Sequence, residues 1–239
     1  MNSSSLLRER MSMSQTTPYN PLDKKNLGAS VAEALLGRKP HPLRDLSLFH
    51  GAGIYAIYYT GPFAAYERLS QQNQGLDPSA PIYVGKAIPS GGRKGVFAPD
   101  ETKSKALFNR LKEHAESIAS TPNLDVKDFQ CRFLIVDDIW IPLGESLLIA
   151  KFAPVWNTLI DGFGNHDPGK GRHNGMRPKW DALHAGRGWA DKCQPRPETY
   201  AQIEREVAAH LSMLILPKSP HFYVEQNRPA YATSPAKSG

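Results

Sequence analysis

Three short runs, "GIYAIYY" (53–59), "IYVGKA" (82–87) and "FQCRFLIVDD" (129–138), limit what this chain can fold into. Each is rich in β-branched and aromatic residues and reads as a strand. Helical patterns alternate with them. "PFAAYERLSQQ" (62–72) opens on Pro and carries good helix formers. "KALFNRLKEHAESIAS" (105–120) places Leu107, Leu111, Ala115 and Ile118 on one face. "IPLGESLLIAKFAP" (141–154) is a helix ended by Pro154. A shorter helix is expected at 26–38 and a last one at 197–215. The order β-α-β-α-β-α has too few strands for a doubly wound sheet. The expectation is an α+β fold, a small mixed three-stranded sheet flanked by helices, with N-terminal, insertion and C-terminal extensions. The expected boundaries are a disordered or loosely attached N-terminus (1–20), an N-terminal helix and connector (21–49), a core (50–160), a basic segment with the C-terminal helix (161–216) and a tail (217–239).

Composition narrows the function classes. No apolar run approaches the roughly 18 residues of a membrane span, and the polar N-terminus lacks the apolar stretch of a signal peptide. The two cysteines, Cys131 and Cys193, suggest neither a disulfide framework nor a zinc tetrad, so a cytosolic protein is expected. The net charge of +6 fits a nucleic-acid partner without demanding one. Its distribution says more. "GKGRHNGMRPKWDALHAGR" (169–187) holds Lys170, Arg172, His173, Asn174, Arg177, Lys179 and Arg187 against one acid, Asp181. Basic groups alternating with Gly and an aromatic suit phosphate contact; a solvated loop has the same composition.

The strands and helices also carry chemistry-bearing residues in a fixed order. "GIY" (53–55) is followed by "YVG" (83–85), then by Arg110 on the next helix, Glu145 early on the helix after the third strand, and Asn157 beyond it. This pattern resembles the GIY-YIG nuclease family over roughly residues 50–157, which makes 50–160 a GIY-YIG-like catalytic core. His114, four residues after Arg110, and the run "WNTLIDGFGNHDPGKGR" (156–172) resemble the stand-alone type II restriction endonuclease branch. Two departures stand out: the stretch between Tyr55 and Tyr83 is longer than the family core, and the loop 88–104 lets Arg93 or Lys94 compete with Arg110.

The resemblance implies Tyr55, Tyr83, Arg110, His114, Glu145 and Asn157 as catalytic residues and Glu145 as the metal ligand. Mg²⁺ is the implied cofactor, with Mn²⁺ able to take its place. It further implies double-stranded DNA as substrate, a homodimer on a palindromic site, no membrane association, a bacterial cytoplasmic setting and a methyltransferase protecting the same site. The residue chemistry is compatible. A phenol titrates near pH ~10, so Tyr55 needs help to act as a base, and His114 is a candidate to take its proton. Arg110 and His114, at i and i+4, share a helix face. A lone carboxylate suits one Mg²⁺ completed by phosphate and water. Asn157 could orient Glu145 or a phosphate oxygen, and Lys86, directly after "YVG", could hold water or phosphate. Lys86, Lys170, Arg172, His173, Asn174, Arg177, Lys179 and Arg187 are the expected DNA contacts.

Taken singly, each residue has an ordinary explanation. Tyrosines are common in strands, Arg110 and His114 could form a solvated face, and Glu145 suits a helix start through the dipole. Other nuclease designs fit less well: Asp137 and Asp138 lack a Glu-x-Lys partner, "GRHNG" lacks a zinc or ββα context, and "PSGGRKG" lacks the phosphate-loop spacing. A repair or mobile-element nuclease, or a DNA-binding module without catalysis, remains an alternative.

Overall fold

The computed structural model describes residues 20–89, 104–169, 171 and 173–216. The expectations for 1–19 and 217–239, and for Arg93, Lys94, Lys170 and Arg172, fall outside these residues. The elements in chain order are α1 (Lys24–Leu36), β1 (His41–Pro42), β2 (Gly53–Tyr59), α2 (Glu67–Gln72), β3 (Tyr83–Ala87), α3 (Ala106–Ala119), β4 (Phe129–Ile135), α4 (Ile141–Phe152), α5 (Val155–Thr158), α6 (Lys179–Leu183) and α7 (Tyr200–Met213).

The α+β class is as expected, but the sheet differs in two ways. It has four strands in the order β1-β4-β2-β3, and every pair is antiparallel rather than mixed. The added strand, β1, hides in the Pro-rich connector. Pro42 cannot donate to a ladder, and it is tolerated here because β1 lies at the sheet edge.

β2 is central, and all seven of its residues are buried. That explains why "GIYAIYY" shows no apolar–polar alternation: both of its faces are covered. Tyr55, Ile57 and Tyr59 join a core with Leu107, Leu111 and Ile118 of α3, with Trp156, Phe163 and Trp180, and with Ile203, Val207 and Leu211 of α7. Ile54, Ala56 and Tyr58 join a second core with Leu35 and Leu36 of α1 and with Ile141, Leu148 and Phe152 of α4. α1 and α7 therefore complete the two cores. At α4 the helix stops where Ala153 takes a left-handed conformation (φ 41°) and Pro154 follows. α7 starts on a capping box in which Thr199 and Gln202 exchange side-chain and backbone hydrogen bonds.

Candidate active site

The register decides which side chains meet. On β2 and β3, Tyr55 pairs with Gly85 and Ile57 with Tyr83, so Tyr55 and Tyr83 are diagonal neighbours on one face. Their ring centroids lie 6.2 Å apart. The glycine of "YVG" has a steric reason: a Cβ on Gly85 would stand 2.4 Å from Tyr55 Oη and 2.6 Å from its Cζ. Only a bare backbone lets the Tyr55 ring lie across β3.

α3 packs on the same face and delivers His114. Its Nε2 is 2.6 Å from Tyr55 Oη, and its side chain is buried. Phe163 stacks on the imidazole at 4.5 Å, and Tyr83 meets it edge-on at 5.3 Å, so the ring is held by packing as well as by the hydrogen bond. Burial, reinforced by the charge of Arg110, pushes the His114 pKa well below the usual histidine value. The imidazole is therefore neutral at neutral pH. Burial also pushes Tyr55 well above the usual phenol value, and Tyr83 adds to this. The charge of Arg110 opposes the rise. With the phenol protonated and the imidazole neutral, the phenol O–H donates to His114 Nε2.

Arg110 lies one turn before His114. Its Nη2 donates to Gly164 O at 2.5 Å, and its Nη1 donates to His166 Nε2 at 2.6 Å and to Glu113 Oε2 at 3.1 Å. A Cβ on Gly164 would stand 2.6 Å from Tyr83 Oη, so this glycine also marks a close approach.

Lys86 follows Gly85, and by strand alternation it points to the other face, toward α4. There its Nζ is 2.6 Å from Glu145 Oε2. The site thus straddles the edge strand, with the phenols and Arg110 on one side and the Lys86–Glu145 pair on the other. The carboxylate is still near enough for its charge to raise both phenols. Asn157 is placed differently from the expectation. Its Oδ1 accepts from Val84 N and its Nδ2 donates to Val84 O, both at 2.8 Å. The primary amide mimics a neighbouring strand and closes the free edge of β3, so it orients the backbone between Tyr83 and Gly85.

Residues 47–211 match the Eco29kI GIY-YIG domain, a family of restriction endonucleases. The chain belongs to the Eco29kI GIY-YIG family. No curated protein matches it. It is a GIY-YIG endonuclease, a hydrolase acting on DNA, and the matched region reaches beyond the sheet through the basic segment to the last turn of α7.

Much of that basic segment serves the fold of this GIY-YIG domain. Arg187 is corrected from a DNA contact to a buried structural group. It forms a bidentate pair with Asp181 at 2.6 and 2.7 Å, and it donates to Gly162 O, Phe163 O and Asn165 O. Its guanidinium also lies over the rings of Trp180 and Trp189. Lys179, also expected as a DNA contact, is engaged in the free protein: its ammonium binds both oxygens of Glu206 on α7. Arg177 donates to Ala190 O and pairs with Asp191. His173 is bound to Asp167 at 2.8 Å, and Asn174 is exposed. Lys86 is engaged by Glu145. Sequence reasoning singled out neither His166 nor Glu113, the two side chains on Arg110, although His166 stands inside the quoted run 156–172.

Glu145 is the side chain suited to a divalent ion. Among the described residues no group of three or more His, Cys, Asp or Glu is placed to hold a metal. A single carboxylate, with the Lys86 ammonium already resting where positive charge is welcome, fits an ion that takes its remaining ligands from phosphate and water. No described helix is long and apolar enough to cross a membrane.

Proposed function

We propose that the chain is a type II restriction endonuclease that cuts double-stranded DNA at a specific palindromic site, as a homodimer, with one Mg²⁺ held by Glu145. The observation that carries the mechanism is the 2.6 Å contact between Tyr55 Oη and His114 Nε2, beside Arg110. In the free protein the proton rests on Tyr55, because burial raises the phenol and lowers the imidazole. A bound phosphodiester brings negative charge, which favours protonation of His114. Tyr55 can then accept a proton from the attacking water as it passes its own to His114 Nε2. Two neutral groups thereby act together as a base near neutral pH. Arg110 binds the non-bridging oxygens as charge builds on them. Bound at Glu145, a divalent ion would neutralise the leaving 3′ oxygen. Lys86, 2.6 Å away, holds the Glu145 carboxylate in place. Asn174 and the less buried parts of His173 and Arg177 are the candidates for reading the duplex. A two-fold palindrome matches a two-fold protein, which motivates the homodimer.

The test is digestion of bacteriophage genomic DNA in Mg²⁺ beside Glu145→Ala. Sharp fragments, absent in the variant and in chelator, are expected. Nicks that follow DNA structure would replace this reading with a repair nuclease, and a gel shift without cleavage would replace it with a binding module.

A further inference from the structure

His166 sits on the loop that follows α5, with its side chain two-thirds exposed beside α3. Its Nε2 lies 2.6 Å from Arg110 Nη1. Because a guanidinium has no acceptor, the imidazole nitrogen must accept, so the ring is neutral with its proton on Nδ1. Together with Gly164 O and Glu113, it fixes the plane of the guanidinium from two separate elements. Glu113 is also only 3.9 Å from His166 Nε2. One carboxylate therefore stands within reach of both Arg110 and the imidazole.

We propose that His166 is a positioning residue of the endonuclease: as a neutral imidazole it aims Arg110 at the scissile phosphate, and on taking a second proton it turns to Glu113 and releases Arg110. The proposal rests on the function proposed above. A doubly protonated ring cannot accept from Arg110 and faces it as a like charge, whereas Glu113 becomes its natural partner. Among the described residues, two other charged groups nearby are already matched. Lys86, across a pocket of about 500 Å³ that it shares with Arg110, Glu113 and His166, is paired with Glu145. Asp167, the next residue in the chain, is held by His173. Positive charge on His166 also disfavours proton uptake at His114, so the same event weakens both the phosphate clamp and the proton acceptor.

The experiment measures kcat and KM on a duplex carrying the mapped site, from pH 5.5 to 8.5, for the full chain and for His166→Ala, His166→Gln and Arg110→Ala. At pH 8, H166A should lose about 10–100-fold in kcat with little change in KM, as expected for a misaimed group. H166Q supplies an amide oxygen that accepts but takes no proton. It should recover most of that loss and flatten the acid limb of the profile. H166A within about twofold of native at every pH, or H166Q with an unchanged acid limb, would each overturn the proposal. Failure of the native protein to cleave, or full activity in R110A, would instead overturn the proposed function.

Discussion

Tyr55–His114 and Tyr66–His184 are the same contact built twice in one core, with phenol oxygens 2.6 and 2.7 Å from Nε2. In both, burial raises the phenol and lowers the imidazole. Their surroundings differ. Around Tyr66 the hydrogen bonds run in a closed chain: Trp156 Nε1 donates to Tyr66, Tyr66 to His184, His184 to Asn123, and Asn123 to Leu183 O. Nothing there carries a net charge, and desolvation is the sole cause of the His184 shift. Around Tyr55 stand Arg110, Tyr83 and the field of Glu145. A tyrosine–histidine pair is thus a structural brace when its network is saturated and neutral. It can serve as a proton relay when a cation for the substrate stands beside it.

The sharpest way to break this comparison is to delete each hydroxyl. Tyr55→Phe should lower the cleavage rate by about 10²–10⁴-fold, the range for losing a positioned acid–base group. Tyr66→Phe should leave the rate within a few-fold but cost about 1–3 kcal/mol in denaturant unfolding, because Trp156 Nε1 and His184 Nε2 are left unpaired. Equal loss of activity in both variants would show that the two pairs do not differ in role. A subtler intervention leaves both hydroxyls in place. Gly85→Ala puts a methyl 2.4 Å from Tyr55 Oη and 3.0 Å from Tyr83 Cε1, and should displace the Tyr55 ring most. A loss of about 10–100-fold in kcat is expected, and native-like kinetics would mean that Tyr55 needs no precise seat on β3.

The smallest effect concerns pH. Burial depresses the His184 pKa from 6.5 to about 3 in the folded state. Between those values the unfolded chain binds the extra proton and the folded chain does not. Stability is therefore complete above pH 6.5 and is lost as pH falls toward 3, by up to about 1.4 kcal/mol per pH unit for this group. His114 acts in the same direction. Unfolding free energies at pH 7 and pH 5 should show the fall, and His184→Gln should reduce its slope. An unchanged slope would place the acid sensitivity elsewhere.

The strands and principal helices were legible because their patterns are local. "GIYAIYY" carries its own β signal, and α3 carries its own amphipathic stripe. The polar centre was legible as an ordered set of residues, but not as an arrangement. His114 reads on a helical wheel as the companion of Arg110 on a solvated face, yet Phe163 and Tyr83 from other elements bury it. The basic segment misled for a similar reason. Counting cations over 169–187 finds one acid, Asp181, and that acid is the buried partner of Arg187. Lys179 finds Glu206 a long way down the chain. Composition counts charges, whereas pairing depends on contacts that a linear reading does not contain. Asn157 was noticed, but no local signal indicates that it braces Val84 rather than a carboxylate.

The central position of β2 has a consequence for the order in which the centre can exist. Tyr55 lies on a strand whose neighbours, β3 and β4, follow it in the chain, and β4 comes only after α3. His114, Glu145 and the Phe163 ring that holds the imidazole come later still than Tyr83. Such non-local pairings form late, after loop-closure entropy has been overcome. On the mechanism proposed above, a growing polypeptide that stops short of Phe163 would have its tyrosines but no assembled proton relay. The topology would then keep the chain inert until most of its domain has been made.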